Sequence, residues 1–275
     1  MRQKVSVGIV ARNSVVVLIS ALWAIPTYLI IVNSITPVTE YTGKPVWWPS
    51  GFGFFENVVQ GWTAGKFLGP FLNSIGYSVL GAGIAVGIAG LGAYALVVLN
   101  VKSRRIWFWF VYSGTLLPLQ VFAVPLYLAS SALGIYDTKF LLIVVYVALC
   151  IPFAFFVARN FLTTIPLEIG QAAKLDGAGG FRMFWSIYLP LMRPAIAAGF
   201  VFQFVYIWNE LFFGISLVIS TENQPVMAAL ASLQAQGSAL SQPAILATAV
   251  VVSLPAVLVF LIFQRYFVNG LSSSL

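Results

Sequence analysis

The sequence predicts an all-α integral membrane protein with six transmembrane helices, and three observations carry that prediction. Hydrophobic residues make up 60% of the 275 residues, charged residues only 8%, and the mean hydropathy is +0.97. That is more apolar surface than one water-soluble core can bury. Residues 13–39, 67–101, 106–136, 140–158 and 223–264 each run without a single Asp, Glu, Lys or Arg, at or beyond the length of about 20 residues that crosses roughly 30 Å of hydrocarbon. The basic residues between these runs also fall unevenly, as a membrane orientation requires.

The first span, 14–35, follows Arg2, Lys4 and Arg12. A cleavable secretory signal has an apolar region of about 7–15 residues, whereas this one is about 20 long, so it reads as a retained anchor. Residues 36–70 carry Pro37, Pro45, Pro49, Trp47 and Trp48 and read as an interfacial loop with its aromatics at headgroup depth. The second span, 71–99, is rich in glycine. Gly83 and Gly87 sit four apart, a spacing that lets helices approach closely, and packing within the chain is favoured over a dimer seam. The remaining spans fall at 106–130, 139–161, 194–219 and 244–267. Pro26, Pro118, Pro125, Pro152 and Pro255 lie within spans and imply kinks. Cys150, the sole cysteine, forms no internal disulfide and reads as a small core residue.

Placing Lys and Arg on alternate sides gives eleven on the side of both termini and of residues 162–193. Only Lys44, Lys66 and Lys139 remain for the other. The excess puts both termini in the cytoplasm, which requires an even number of helices. The same charges carry no dense cluster suited to nucleic acid, despite a net charge of +7. Lys102, Arg104 and Arg105 read as orientation charges, and Arg159 as a side chain snorkelling to the headgroups. With no histidine in the chain, the usual metal ligand and every Ser/His or Cys/His nucleophile pair are absent, so no hydrolytic or metal site is expected.

About 30 patterned residues separate the fourth and fifth spans. Thr164 is expected to cap a helix with Pro166 and Glu168 in its first turn. Gln171, Ala172, Ala173, Lys174 and Leu175 continue it, and Gly177 stops it. A second short helix with apolar spacing of three and four is expected from Phe181 through Leu189, ending at Pro190. A side chain introduced at Gly177 is expected to be buried at the bend. Two short helices held against the inner ends of membrane helices make a knob that can dock in a cleft of a soluble partner.

This segment resembles the signature loop of the membrane subunits of ATP-binding-cassette (ABC) importers, in the carbohydrate-uptake group. That signature is Glu-Ala-Ala, three residues, Gly, nine residues, then Ile-x-Leu-Pro. Here Gln171, Ala172, Ala173, Gly177, Ile187, Leu189 and Pro190 hold every spacing, and Asp176-Gly177-Ala178 matches the sugar-group variant. The leading acid is replaced by Gln171, and Glu168 one turn earlier is positioned to supply the missing charge. The resemblance extends over nearly the whole chain. It includes Phe71-Leu72-Asn73-Ser74, Ala93-Tyr94-Ala95-Leu96, Leu133 to Thr138, Arg159-Asn160-Phe161, Trp208-Asn209-Glu210 and Phe263 to Val268. It implies a single transmembrane domain over 1–275, of the smaller permease type, in a bacterial or archaeal cytoplasmic membrane, with a coupling loop at about 164–190. It further implies a second, homologous permease as heterodimer partner, two ATPase subunits, and an extracytoplasmic solute-binding protein delivering a sugar. This chain holds no Gly-x-x-x-x-Gly-Lys-Ser/Thr stretch, so ATP and Mg are expected on the partner ATPases.

Glu210 falls about 24 Å into the fifth span at 1.5 Å per residue, where an exposed charge costs a few kcal/mol. It is expected to face a partner or a water-filled cavity. Beside it, Phe204, Tyr206, Trp208 and Asn209, with Gln203 and Asn73, mix aromatic faces with hydrogen-bonding groups, which suits a sugar's C–H faces and hydroxyls. The alternative is that Glu210 and Asn209 tie helices together near a gate. Two other classes of function compete. An ion-gradient carrier or channel is disfavoured by the single intramembrane acid and the absence of paired broken helices. An enzyme acting on lipid-linked sugars is disfavoured by the lack of clustered acids or a metal site.

Overall fold

The long apolar runs fold as long helices: α1 (Val7–Ile35), α3 (Leu68–Val97), α6 (Lys139–Leu162) and α13 (Gln242–Ser272). The computed structural model describes residues 7–99, 101–235 and 240–272, without any strand among them. Arg2 and Lys4 lie outside the described residues, as do the side chains of Arg265 to Val268. Among the described helices, these four are long and apolar enough to cross a membrane. The chain packs as two units, residues up to 66 with 230–253, and 67–229 with 254 onward.

In the first unit α1 buries little. Trp23 is 80% exposed and Val15 through Ile19 are exposed with it, so this apolar surface belongs in lipid. The stretch expected as loop holds an amphipathic helix, α2 (Phe54–Ala64). Its buried face is Asn57 and Gly61, small and polar residues that hide the helical period from a hydropathy reading. The Asn57 amide donates to the Ser34 and Thr36 carbonyls at 2.9 Å each, satisfying the end of α1. Gly61 lies so close to α13 that a Cβ there would overlap Thr248 Oγ1 and the Ala244 carbonyl.

The second unit is built on α3, α6 and α10 (Arg193–Trp208). Tyr77 meets Tyr146 at 6.1 Å between ring centroids, and Tyr94 shares a buried cluster with Ala158 and Leu162, so α3 and α6 run parallel. Helix α10 runs against them, since Gly81 faces Ile207 while Gly90 faces Ile196. Gly83 and Gly87 depart from the expectation of packing within the chain. A Cβ on either would meet nothing within 4 Å, and both line an open cavity of about 470 Å³ with Phe200 and Phe263.

Residues 106–130 are not one helix but α4 (Arg104–Ser113) and α5 (Ala123–Ala132), separated by a break containing one 3-10 turn, Leu119–Phe122. Pro118 has no amide to continue α4 and holds its own backbone extended at ψ 124°, while Gly114 abuts Pro152 of α6. Pro125 falls in the first turn of α5, where a missing amide costs least. The expected span 194–219 likewise ends as helix at Trp208 and resumes only as α11 (Phe212–Ser216). It is followed by α12 (Val226–Ala235).

Candidate functional site

The segment after α6 turns on itself at once. The Thr164 hydroxyl donates to the Phe161 carbonyl at 2.7 Å, closing the end of α6 rather than capping the next helix. Pro166 holds the N-cap position of α7 (Leu167–Leu175), without a side-chain bond. Glu168 stands in the first turn of α7 and Lys174 in the last, each where the helix dipole favours its charge. At the far end Gly177 adopts φ +75°, the left-handed region that glycine enters without penalty. The Ala178 amide donates to the Ala173 carbonyl at 2.9 Å and the Gly177 amide to the Lys174 carbonyl at 3.0 Å. This is a Schellman termination. A Cβ at Gly177 meets nothing within 4 Å, so the expectation of a buried side chain there is corrected: substitution strains the backbone and does not crowd it.

The second arm continues past Pro190. It runs as α8 (Gly180–Met183), a π-helical turn (Phe184–Tyr188) and α9 (Leu189–Leu191). In the wide turn the Leu189 amide reaches back five residues to the Phe184 carbonyl, and Pro190 then sits in the opening turn of α9. The chain bends by 74° only between Leu191 and Arg193, where it enters α10.

Half of the motif is anchor. Ala173, Met183, Phe184, Tyr188 and Met192 join Tyr94 of α3 and Leu162 of α6 in one buried cluster, with Ile187 and Leu189 packed against it. The Tyr94 hydroxyl donates to the Gly180 carbonyl at 2.8 Å, and its ring centroid lies 5.2 Å from those of both Phe184 and Tyr188. Burial raises the Tyr188 phenol above its usual value, which keeps it neutral. The other half is surface. Glu168, Gln171, Ala172, Leu175 and Asp176 are all exposed at spacings that place them on one face of α7, and Leu175 is 89% exposed.

At the opposite end of this unit, a loop is tied down by Asp137, whose φ is +59°. Its carboxylate accepts from the Ile219 amide at 3.0 Å, the Ser220 amide at 3.1 Å and the Ser220 hydroxyl at 3.0 Å. Burial pushes the Asp137 carboxyl up, but these donors and Asn223 outweigh it and hold it below the usual carboxylate range. Asn73 belongs to the same scaffold, its amide donating to the Glu222 carbonyl at 2.7 Å and to Gln224 at 3.2 Å.

Glu210 is 9% exposed. It accepts from the Tyr146 hydroxyl at 3.0 Å and from the Phe213 and Gly214 amides at 3.0 and 3.2 Å. The carboxylate therefore closes the start of α11 and ties it to α6. Phe204 stacks on Trp208, which meets Phe71 edge-on, and both are buried. Asn209 donates to the Val205 carbonyl at 2.8 Å. Of the seven residues proposed from sequence for a solute path, Gln203 and Tyr206 line a cavity of about 500 Å³ opening at the α4–α5 break beside Thr115, Pro152, Phe153 and Phe202. Even there, the Gln203 amide donates to the Cys150 carbonyl at 3.1 Å. Cys150 itself is fully buried, a core residue.

Residues 90–273 match the family described as the binding-protein-dependent transport system inner membrane component. The chain belongs to this family. It is a transport permease of the membrane, not an enzyme. It is 29% identical over 262 residues to the diacetylchitobiose uptake system permease NgcG of Streptomyces coelicolor, covering 94% of this chain and 84% of that protein. It is 30% identical over 261 residues to the sn-glycerol-3-phosphate transport system permease UgpE of Yersinia enterocolitica, covering 90% of each. Identity to the melibiose/raffinose/stachyose import permease MelC of Bacillus subtilis is 29%, again covering 90% of each. The fold matches a chain of a bacterial ABC transporter that imports alginate, with a TM-score of 0.78 over 94% of this chain and 95% of that one, at 24% identity.

For this permease, sequence reasoning missed Gly170, where a Cβ would come within 2.6 Å of the Tyr188 hydroxyl. The two arms touch there. The only trace in the sequence is a glycine inside a helix of otherwise good formers, a position that costs stability unless something packs close. It also missed the role of Asp137, although Leu133 to Thr138 is among the segments that carry the resemblance; Thr138 caps α6 through the Leu141 amide at 3.2 Å.

Proposed function

We propose that the chain is the smaller-type permease of an ABC importer for a sugar or similarly hydroxyl-rich solute, and that its 164–190 segment docks in a groove of a cytoplasmic ATPase. The observation that carries this reading is the two-sidedness of that segment. Gly170, Ala173, Ala178, Ile187 and Leu189 turn toward the chain's own core, while Glu168, Gln171, Ala172, Leu175 and Asp176 present a solvent-facing strip with an exposed leucine. An apolar side chain so exposed on a rigid, capped helix is the anchor of an interface. Pro190 acts within the bent second arm.

Six crossings are formed by α1, α3, the broken pair α4 and α5, α6, α10 with α11, and α13. Both termini are cytoplasmic. In support, Lys102, Arg104, Arg105, Arg159, Lys174, Arg182 and Arg193 gather at the α7 end of the second unit, against Lys139 at the other. A second, homologous permease completes a heterodimer, two ATPase subunits bind ATP and Mg, and a solute-binding protein delivers the solute. The solute class follows from relatives named for chitobiose, raffinose-type sugars and glycerol phosphate. The cavity beside Gln203 and Tyr206 supplies aromatic faces with a few polar groups. Asn73, Phe204, Trp208, Asn209 and Glu210 support that path without lining it.

Co-purification with the partner ATPase tests the docking. Leu175→Glu should abolish retention of the ATPase while the detergent elution profile stays that of the wild type. If purified chain alone moves solute across liposomes with no ATPase present, an ion-gradient carrier replaces this reading.

A further inference from the structure

Beneath α7 a small pocket opens between the ends of α3 and α6 and the π-helical turn. Its volume is about 160 Å³, room for about five water molecules. The walls are Val97, Val98, Leu162, Ile165 and Leu167, and the polar side chains lining it are those of Gln171, Lys174 and Tyr188. Gly170 completes the lining, and a Cβ there would come within 2.6 Å of the Tyr188 hydroxyl, so the glycine leaves that hydroxyl uncovered. Tyr188 is 4% exposed, yet its hydroxyl makes no hydrogen bond among the described residues. A buried O–H without an acceptor costs free energy. Lys174 likewise forms no ion pair among the described residues. Three and four positions away on either side stand Gly170, Gln171, Gly177 and Ala178, none of them charged. The importer signature has an acid at position 171, and glutamine in its place cannot neutralise the lysine one turn on. The pocket lining holds no Asp or Glu. A cationic donor and a buried hydroxyl thus share one space, and the acceptor that satisfies both is an anion.

We propose that this pocket receives a carboxylate side chain, Asp or Glu, of the ATPase docked on α7, held by the Lys174 ammonium and the Tyr188 hydroxyl. The proposal rests on the docking reading above. Leu167, Gln171 and Lys174 are solvent-exposed as well as lining the pocket, so it opens on the surface of α7. Gln171 also belongs to the outward strip with Glu168, Ala172, Leu175 and Asp176. A partner seated on that strip lies over the mouth, which favours one of its own side chains over a free anion. The apolar walls suit the methylene stem of that side chain.

The probe is the ATPase that co-purifies with the wild-type protein, bound to the intact permease complex in detergent. A water-soluble carbodiimide joins an amine to a carboxylate without a spacer. Wild-type complex should therefore yield an isopeptide between Lys174 and an Asp or Glu of the ATPase, located by peptide mass spectrometry. In titrations with the ATPase, Lys174→Gln should weaken binding about fivefold and Tyr188→Phe about tenfold. The double variant should lose about tenfold rather than about fiftyfold, because both side chains hold one carboxylate. Lys139→Gln, at the other end of α6, should bind as wild type does. Should Tyr188→Phe misfold, the cross-link and the exposed Lys174→Gln decide. Absence of a Lys174 cross-link to the ATPase, unchanged affinity of the variants, or losses that multiply fully overturns the proposal. A loss confined to Lys174→Gln makes the lysine a surface charge and overturns the pocket as its site. Leu175→Glu separates the two readings: if it alone releases the ATPase, docking stands and the pocket falls, whereas a wild type that retains no ATPase ends both.

Discussion

Replacing Glu210 by glutamine tests whether that carboxylate is structural. Glutamine keeps the size but turns one accepting oxygen into a donating NH2. The pocket offers three donors, the Tyr146 hydroxyl and the Phe213 and Gly214 amides. The glutamine oxygen can take the place of Oε2, which all three donors reach, but its NH2 then stands in the place of Oε1, 3.0 Å from the Phe213 amide nitrogen, and faces another N–H there. An unsatisfied buried donor costs about 1–3 kcal/mol, and the surviving bonds lose their charge assistance. A total of about 2–4 kcal/mol, at roughly 2–4 °C per kcal/mol for a chain of this size, lowers the unfolding temperature by about 4–16 °C. Tyr146→Phe removes a single bond, about 1–2 kcal/mol, and the double variant should cost less than the sum because both changes break the same contact. Thermal unfolding in detergent, followed by intrinsic fluorescence at one scan rate, reads all three. If Glu210→Gln unfolds within about 1 °C of wild type, the carboxylate is not tethering α11, and its burial must serve the solute path.

Gly177→Ala forces a side chain into left-handed backbone at a cost of about 1–2 kcal/mol, without a clash. It should weaken ATPase retention, and Gly177→Asn, which tolerates that conformation, should weaken it less. Gly170→Ala should destabilise by about 1–3 kcal/mol because the buried Tyr188 hydroxyl must move; adding Tyr188→Phe should restore part of the loss in the same thermal assay. The Asp137 carboxyl titrates below its usual range, so the order it gives the 217–224 loop is complete above the unfolded-state value near about pH 4 and is lost as pH falls through the lower folded value. Hydrogen exchange of the Ile219 and Ser220 amides, corrected for intrinsic rate, should stay protected from neutral pH down to about 4 and open below it. Asp137→Asn should abolish that dependence on pH.

Unbroken apolar runs announced α1, α3, α6 and α13, because nothing but a helix satisfies the backbone over such lengths in hydrocarbon. The spacing from Gln171 to Pro190 announced the bent knob for the same local reason, with Gly177 as its stop. Composition alone could not show that 106–130 breaks, since Gly114 and Pro118 are tolerated within membrane helices when neighbours re-satisfy the backbone. Helix α2 stayed hidden because its buried face is made of Asn57 and Gly61. Asn73 and Glu210 carried polar side chains in apolar surroundings, a pattern common to solute contacts and to tethers. Only the positions of Glu222, Gln224, Phe213 and Gly214, distant in sequence or hidden in backbone geometry, separate the two.

The split of α7 into an inward and an outward face makes the segment's address separable from its architecture. Five outward positions, 168, 171, 172, 175 and 176, are exposed, whereas the bend is fixed by Gly177, Ala173 and the tyrosine pair beneath. Grafting another permease's residues onto those five positions would therefore redirect this subunit to a foreign motor while leaving its membrane scaffold as it is, a route to hybrid importers built one helical face at a time.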